Sequence, residues 1–145
     1  MLGIDYTTKL DQLIESVDWN IELPAEWSGY FQQRGEQSTY AEVERNNQRL
    51  KIRTYGILYF DQSLHFRTRS QEPMGVYTRD FSRQGAGFLA PVELFPEERV
   101  RIALSTFWVQ LKVVRTRRIT AACFEIGTVL VKRHDPGNEA FAILQ

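Results

Sequence analysis

A single cysteine, Cys123, stands in this chain of 145 residues, so no intramolecular disulfide can staple the fold. That fits a reducing compartment. Two histidines, His65 and His134, are too few and too far apart for the ligand spacing of a zinc site. No window approaches about 18 consecutive apolar residues, so neither a transmembrane helix nor membrane insertion is expected. The run Met1-Leu2-Gly3-Ile4-Asp5 has no basic region leading into an apolar stretch, which speaks against a secretory signal and for a cytoplasmic protein. Also missing are a Walker-type glycine loop, a Ser/His/Asp arrangement and a paired-carboxylate site. The expectation is a protein that is not an enzyme, with no catalytic residues, no metal and no cofactor. Net charge is zero, and no long basic stripe marks a nucleic-acid binder. A small nucleic-acid-binding barrel has only the basic middle and Tyr55, Tyr59 and Phe66 in its favour.

What is present describes one ordinary globular domain. Apolar residues make up 43% and charged residues 25%, which is enough for a core without staples. The charge is unevenly spread. Residues 1–44 carry two basic against nine acidic side chains, residues 45–83 eight against three, and residues 84–145 eight against six. A basic middle attracts a compact anion, and the acidic lead would lie against it when no anion is there.

Periodicity divides the chain into a helical lead and a β-rich remainder. Leu10, Leu13, Ile14 and Val17 fall on one helical face, a stripe that reads as core packing. Thr8 followed by Asp11 suggests the helix start. Pro24 suits the first turn of a second short helix carrying Trp27, Tyr30 and Phe31, and Thr39 with Glu42 suggests a third. Asn46-Asn47 favours a connector over residues 45–49. From Leu50 the period becomes two. Leu50, Ile52, Leu58 and Phe60 share the buried parity of a long strand, with Tyr55 and Tyr59 on the other. Residues 65–72 read as an exposed loop and residues 76–79 as a short strand. Further strands follow near residues 87–90, 100–104, 109–113 and 119–133, with Arg115-Thr116-Arg117-Arg118 as a solvent-facing hairpin tip or strand end. Asn138 suits the cap of a short C-terminal helix. Short strands at this spacing predict an all-β barrel or sandwich.

Two motifs frame the middle of the chain. Arg45-Asn46-Asn47-Gln48-Arg49 reads RxxxR, and Asp80-Phe81-Ser82-Arg83-Gln84-Gly85 reads DxSxxG. A second RxxxR register, Arg49 to Arg53, runs into residues that already look like strand. An arginine fork matches guanine O6 and N7, or two phosphate oxygens. A carboxylate accepts from guanine N1–H and N2–H. Asp80 and Ser82 also suit a plain turn between strands.

These two motifs, in this order on a strand pattern, closely resemble the PilZ domain. So do the downstream runs Pro91-Val92-Glu93-Leu94, Val113-Val114-Arg115 and Phe124-Glu125-Ile126-Gly127. The resemblance covers roughly residues 45–133. It implies a mainly β fold: a six-stranded antiparallel PilZ-type β-barrel with a short N-terminal helical extension and a short C-terminal helix. The division would be a helical extension over 1–44, the barrel domain over 45–135 with its connector at 45–49, and a tail over 136–145. The implied ligand is the bacterial second messenger cyclic di-GMP. Arg45 and Arg49 would hold guanine edges and phosphates, Asp80 and Ser82 would meet a guanine polar edge, and Gly85 would let the backbone come close. The connector would order on binding and alter contacts with an unidentified effector protein, in a monomer or homodimer. The alternative is a PilZ-fold interaction adaptor that binds no nucleotide.

Overall fold

The computed structural model describes residues 5–27, 29, 50–64 and 69–142. The connector 45–49, the helix expected after Thr39 and residues 65–68 lie outside them. The first element is helix α1, Tyr6–Ser16. Its cap is Asp5, whose Oδ1 accepts the Thr8 N–H at 2.8 Å. The helix therefore starts upstream of the Thr8/Asp11 spacing, and Tyr6 joins its apolar face. That face packs as the stripe predicts. Leu10, Leu13, Ile14 and Val17 cluster with Ile57, Tyr59, Ala103 and Trp108. The buried Tyr6 hydroxyl donates to the carbonyls of Leu104 and Phe107, and burial holds this phenol neutral far above its usual range.

After α1 the chain runs as a strap, residues 17–27, across the outside of the barrel. Trp19 packs on Tyr55 and Tyr77, stacked on Tyr77 at 5.6 Å between ring centroids and 6° between planes. Ile21 is buried with Leu89 and Cys123. The Glu22 N–H donates to the Ala122 carbonyl at 3.0 Å, and the Thr120 hydroxyl donates to the Glu22 carbonyl at 2.7 Å. The helix expected at Pro24 is one 3-10 turn, Ala25–Trp27; Tyr30 and Phe31 lie outside the described residues.

The strands are β1 Leu50–Lys51, β2 Tyr55–Gln62, β3 Met74–Phe81, β4 Gly85–Ala90, β5 Arg99–Ala103, β6 Trp108–Thr120 and β7 Cys123–His134. All pairings are antiparallel. The order β3-β2-β5-β6-β7-β4 closes through a β3–β4 pairing into the expected six-stranded barrel, with β1 added beside the far end of β3. The interior holds Leu58, Val76, Phe88, Ile102, Val109, Leu111, Val113 and Ile126.

Several local expectations change. The long strand from Leu50 breaks at residues 52–54. Buried Thr78 bridges the break: its hydroxyl accepts the Thr54 N–H at 2.9 Å and donates to the Ile52 carbonyl. Tyr59, placed by alternation on the open parity, is only 5% exposed, because α1 covers that outer face of β2. Arg69, expected in an exposed loop, inserts its guanidinium against Glu98, with Nη2 2.7 Å from Oε1, between the rings of Phe60 and Phe95. Glu98 has no exposed surface, and its Oε1 also accepts the Phe95 N–H, so the pair is satisfied as a buried charge must be.

Of the two expectations for residues 115–118, the strand end holds and the hairpin tip does not. These residues lie within β6, and the tip falls at Ala121-Ala122. Arginines fit there because β6 outruns β5 and turns part of its length to solvent. The C-terminal helix is likewise one 3-10 turn, Asn138–Phe141, capped by extended Gly137 and not by Asn138. Its carbonyls at Glu139, Ala140 and Ala142 accept from the Arg101 guanidinium. That external donor replaces the bonds a longer helix would supply.

Candidate functional site

The DxSxxG turn joins β3 to β4. The Ser82 N–H donates to the Gly85 carbonyl at 2.9 Å, and the Ser82 hydroxyl accepts the Gln84 N–H at 3.2 Å. The Leu130 N–H donates to the Gln84 carbonyl at 2.7 Å, which ties the turn to β7. Ser82 thus has the turn-forming role that its residue type allows. Gly85 is dictated by its neighbour: a Cβ there would stand 2.0 Å from the Thr128 carbonyl oxygen. The adjoining strand demands this glycine before any ligand does.

One step back along β3 the register shifts between Thr78 and Asp80. Arg79 and Asp80 together oppose Gly87, the geometry of a β-bulge, which re-aims side chains. The Asp80 carboxylate lies over Gly87, where a Cβ would come within 2.9 Å of Oδ1. Asp80 is 8% exposed, and Arg79 Nη2 stands 3.1 Å from its Oδ2. Arg79 also pairs with Glu125, which pairs in turn with Arg117 at 3.0 Å.

The same register continues across the sheet. Asp80 opposes Gly87, Gly87 opposes Gly127, and Gly127 opposes Arg115. The Arg115 side chain lies across Gly127, since a Cβ there would meet its Cζ at 2.7 Å. Two adjacent glycines therefore carry a carboxylate on one side and a guanidinium on the other. The pattern can accept from a guanine N–H edge and donate to O6, N7 or a phosphate.

Of the residues expected to bind, Asp80, Ser82 and Gly85 come together in this one turn. Arg45 and Arg49 lie outside the described residues. β1 begins immediately after Arg49 in the chain, and its two residues pair with Phe81 and Asp80. The RxxxR segment therefore enters the described structure directly beside the turn. Arg53, of the second register, sits in the break between β1 and β2, half buried. Sequence reasoning marks Gly85-Ala86-Gly87 for unusual backbone angles or close approach to a ligand, but it missed Gly127 and Arg115 as partners. Gly127 inside an apolar strand was the available signal, because such a glycine marks close approach by another group. Among the described residues no group of three or more His, Cys, Asp or Glu could hold a metal ion, and no helix is long and apolar enough to cross a membrane.

A family model of the PilZ domain matches residues 44–140, more than half of the chain. The chain belongs to the PilZ domain family. No curated protein and no solved structure matches it. PilZ domains are binding and adaptor modules, and cyclic di-GMP is the ligand associated with the family. The match begins just before Arg45 and ends within the C-terminal 3-10 turn. It takes in both motifs, the whole barrel and the turn pinned by Arg101. Residues 5–27, with α1 and the strap, fall outside it.

Proposed function

We propose that this PilZ domain is a cytoplasmic receptor for cyclic di-GMP, working as a regulatory module and not as an enzyme. Arg45 and Arg49 grip guanine edges and phosphates, Asp80 takes a guanine N1–H and N2–H edge, and Ser82 and Gly85 shape the turn beneath. Arg115 adds a second guanidinium on the opposite side of the glycine pair. The connector 45–49 orders on binding and changes the surface offered to an effector protein. The lead 1–44, barrel domain 45–135 and tail 136–145 are the working parts, in a monomer or homodimer. The observation that carries the reading is the row Asp80, Gly87, Gly127, Arg115 at the place where the RxxxR segment joins the barrel.

Calorimetric titration with cyclic di-GMP tests it, with GTP and cyclic di-AMP as controls. Saturable binding of cyclic di-GMP alone is expected. Arg49→Ala should weaken it by about ten- to hundredfold, since one charge-assisted contact contributes on the order of 1–3 kcal/mol. One observation favours the adaptor reading instead: the Asp80 carboxylate is already engaged by Arg79 within the chain. No binding by a folded sample would overturn the receptor reading and leave the adaptor reading, to be tested on a protein partner.

A further inference from the structure

β6 is 13 residues long and β5 only five. Their pairing ends at Arg99 opposite Lys112. Val113 still exchanges backbone bonds with Glu97 and Glu98 at 2.9 and 2.8 Å. Beyond it, β6 pairs with β7 on one side. Among the described residues no backbone hydrogen bond reaches the other side of residues 114–118. A barrel closes its edges, so an open length of strand is a template for another strand.

The two faces of this open edge differ. Outward stand Arg115 and Arg117, opposite Gly127 and Glu125. Inward stand Thr116 and Arg118, with the Arg118 guanidinium 5.7 Å from the Phe124 ring centre. Beneath the inward face opens a cavity of about 460 Å³ lined by Pro91, Val92, Glu93, Thr116, Arg118 and Phe124. The Thr116 hydroxyl there is buried with no hydrogen-bond partner among the described residues. Val92, on the loop after β4, keeps a large exposed surface.

We infer that residues 114–118 of β6 are a docking edge for an extended acidic segment of a partner protein, added as a further antiparallel strand. Main-chain bonds to the open edge hold the segment, and alternate side chains read the two faces. Acidic side chains on the outward face meet Arg115 and Arg117. Apolar side chains on the inward face enter the cavity beside Val92 and Phe124. Charge decides the occupant. A second copy of this chain would set the same arginines against each other across the new pairing, which is destabilising. A nucleic acid would use the arginines but neither the strand edge nor the cavity. Arginines on an edge also discourage aggregation, but that role needs no cavity under the strand. Arg115 is shared with the proposed nucleotide site, but the open edge, Arg117 and the cavity are not, and the test contains no nucleotide.

The probe is a fluorescein-labelled heptapeptide alternating glutamate with valine and phenylalanine, followed by anisotropy on the full chain. Two controls carry lysine for glutamate, or N-methyl groups on every second backbone nitrogen. Saturable binding of the first peptide alone is expected, with slowed amide exchange at residues 114–118. Arg117→Glu and Val92→Arg should each weaken it about tenfold, with thermal melting confirming that both variants fold. Val92→Arg fills the cavity from a loop and leaves β6 untouched, so its loss of binding is not a strand defect. Equal binding of either control peptide would overturn the inference. So would protection elsewhere in the chain, tighter binding of an oligothymidylate that displaces the peptide, or no binding at all.

Discussion

Gly85 and Gly127 sit on the paired strands β4 and β7, and different atoms require them. A Cβ at Gly85 would press on a backbone oxygen of β7, 2.0 Å away, which the ladder holds in place. A Cβ at Gly127 would press on the Arg115 side chain, which is exposed and can move. Gly85→Ala should therefore cost roughly 3 kcal/mol of stability, at the upper end of overpacking. Gly127→Ala should cost less than about 1 kcal/mol. On the receptor reading the ranking reverses for ligand: Gly127→Ala displaces Arg115 and should weaken cyclic di-GMP binding roughly tenfold. Urea unfolding of both variants, with calorimetry on whichever stays folded, separates the two roles. Loss of stability in Gly127→Ala as large as in Gly85→Ala would refute the distinction. At this scale the sequence shows Asp80, Ser82 and Gly85 as a turn, because residue type and spacing are local. It does not show the Asp80-to-Arg115 row, because that row depends on the register of four strands and on a bulge at Arg79.

The C-terminal end of the barrel is held by two side chains with opposite electrical problems. Arg101 is 4% exposed and spends its guanidinium on Asp61 at 2.6 Å and on carbonyls of the C-terminal turn. Burial pushes the Asp61 carboxyl above its ordinary range, against the pull of Arg101. Arg101→Met leaves a buried carboxylate alone and unpins residues 139–142. A loss of about 3–5 kcal/mol is expected, partly recovered by adding Asp61→Asn; denaturant unfolding of the single and double variants measures it. His134, at the end of β7, stacks on Trp108 at 3.8 Å, and its Nε2 is 2.8 Å from Gln110 Oε1. Burial, and then Lys132, lower its pKa below the usual 6.5, against a smaller opposing effect of Glu139. The unfolded chain then binds this proton more readily than the folded one, so stability is present above pH 6.5 and declines as pH falls below it. His134→Gln should flatten that decline in thermal melts between pH 7 and 5, and an unchanged slope would refute it. At the scale of elements, alternation located the strands well. It could not show that β2 is covered on both faces or that β6 runs on through its arginines, because both follow from what packs alongside.

For the whole molecule the decisive question is what fastens the acidic lead to the barrel. The charge asymmetry of the sequence suggests attraction to the basic middle. Within residues 5–27 the contacts are instead chiefly apolar, joined by the hydrogen bonds of Tyr6 and Glu22 to the barrel. Tyr6, Leu10 and Ile21 are buried, Trp19 is stacked on Tyr77 and tilted against Tyr55, and Asp11, Glu15 and Asp18 point to solvent. Apolar attachment is not screened by salt, whereas attraction between exposed charges is largely lost beyond the Debye length, about 3 Å at 1 M. Amide exchange of α1 should therefore be as slow in 1 M as in 0.1 M sodium chloride. Trp19→Ala should lower the stability of the chain by about 2 kcal/mol, less than for a fully buried tryptophan because the indole is only half covered. The same geometry locates any ligand-driven change. Moving α1 would expose the apolar face it shares with Ile57, Tyr59 and Trp108. Moving the strap would also break its backbone bond to Ala122. Cyclic di-GMP should accordingly alter protease sensitivity near Asn46-Asn47 and leave exchange in residues 6–16 unchanged. Faster exchange in α1 on adding the nucleotide would mean that the helix itself is the moving part, and that its apolar seat on β2 is weaker than its burial implies.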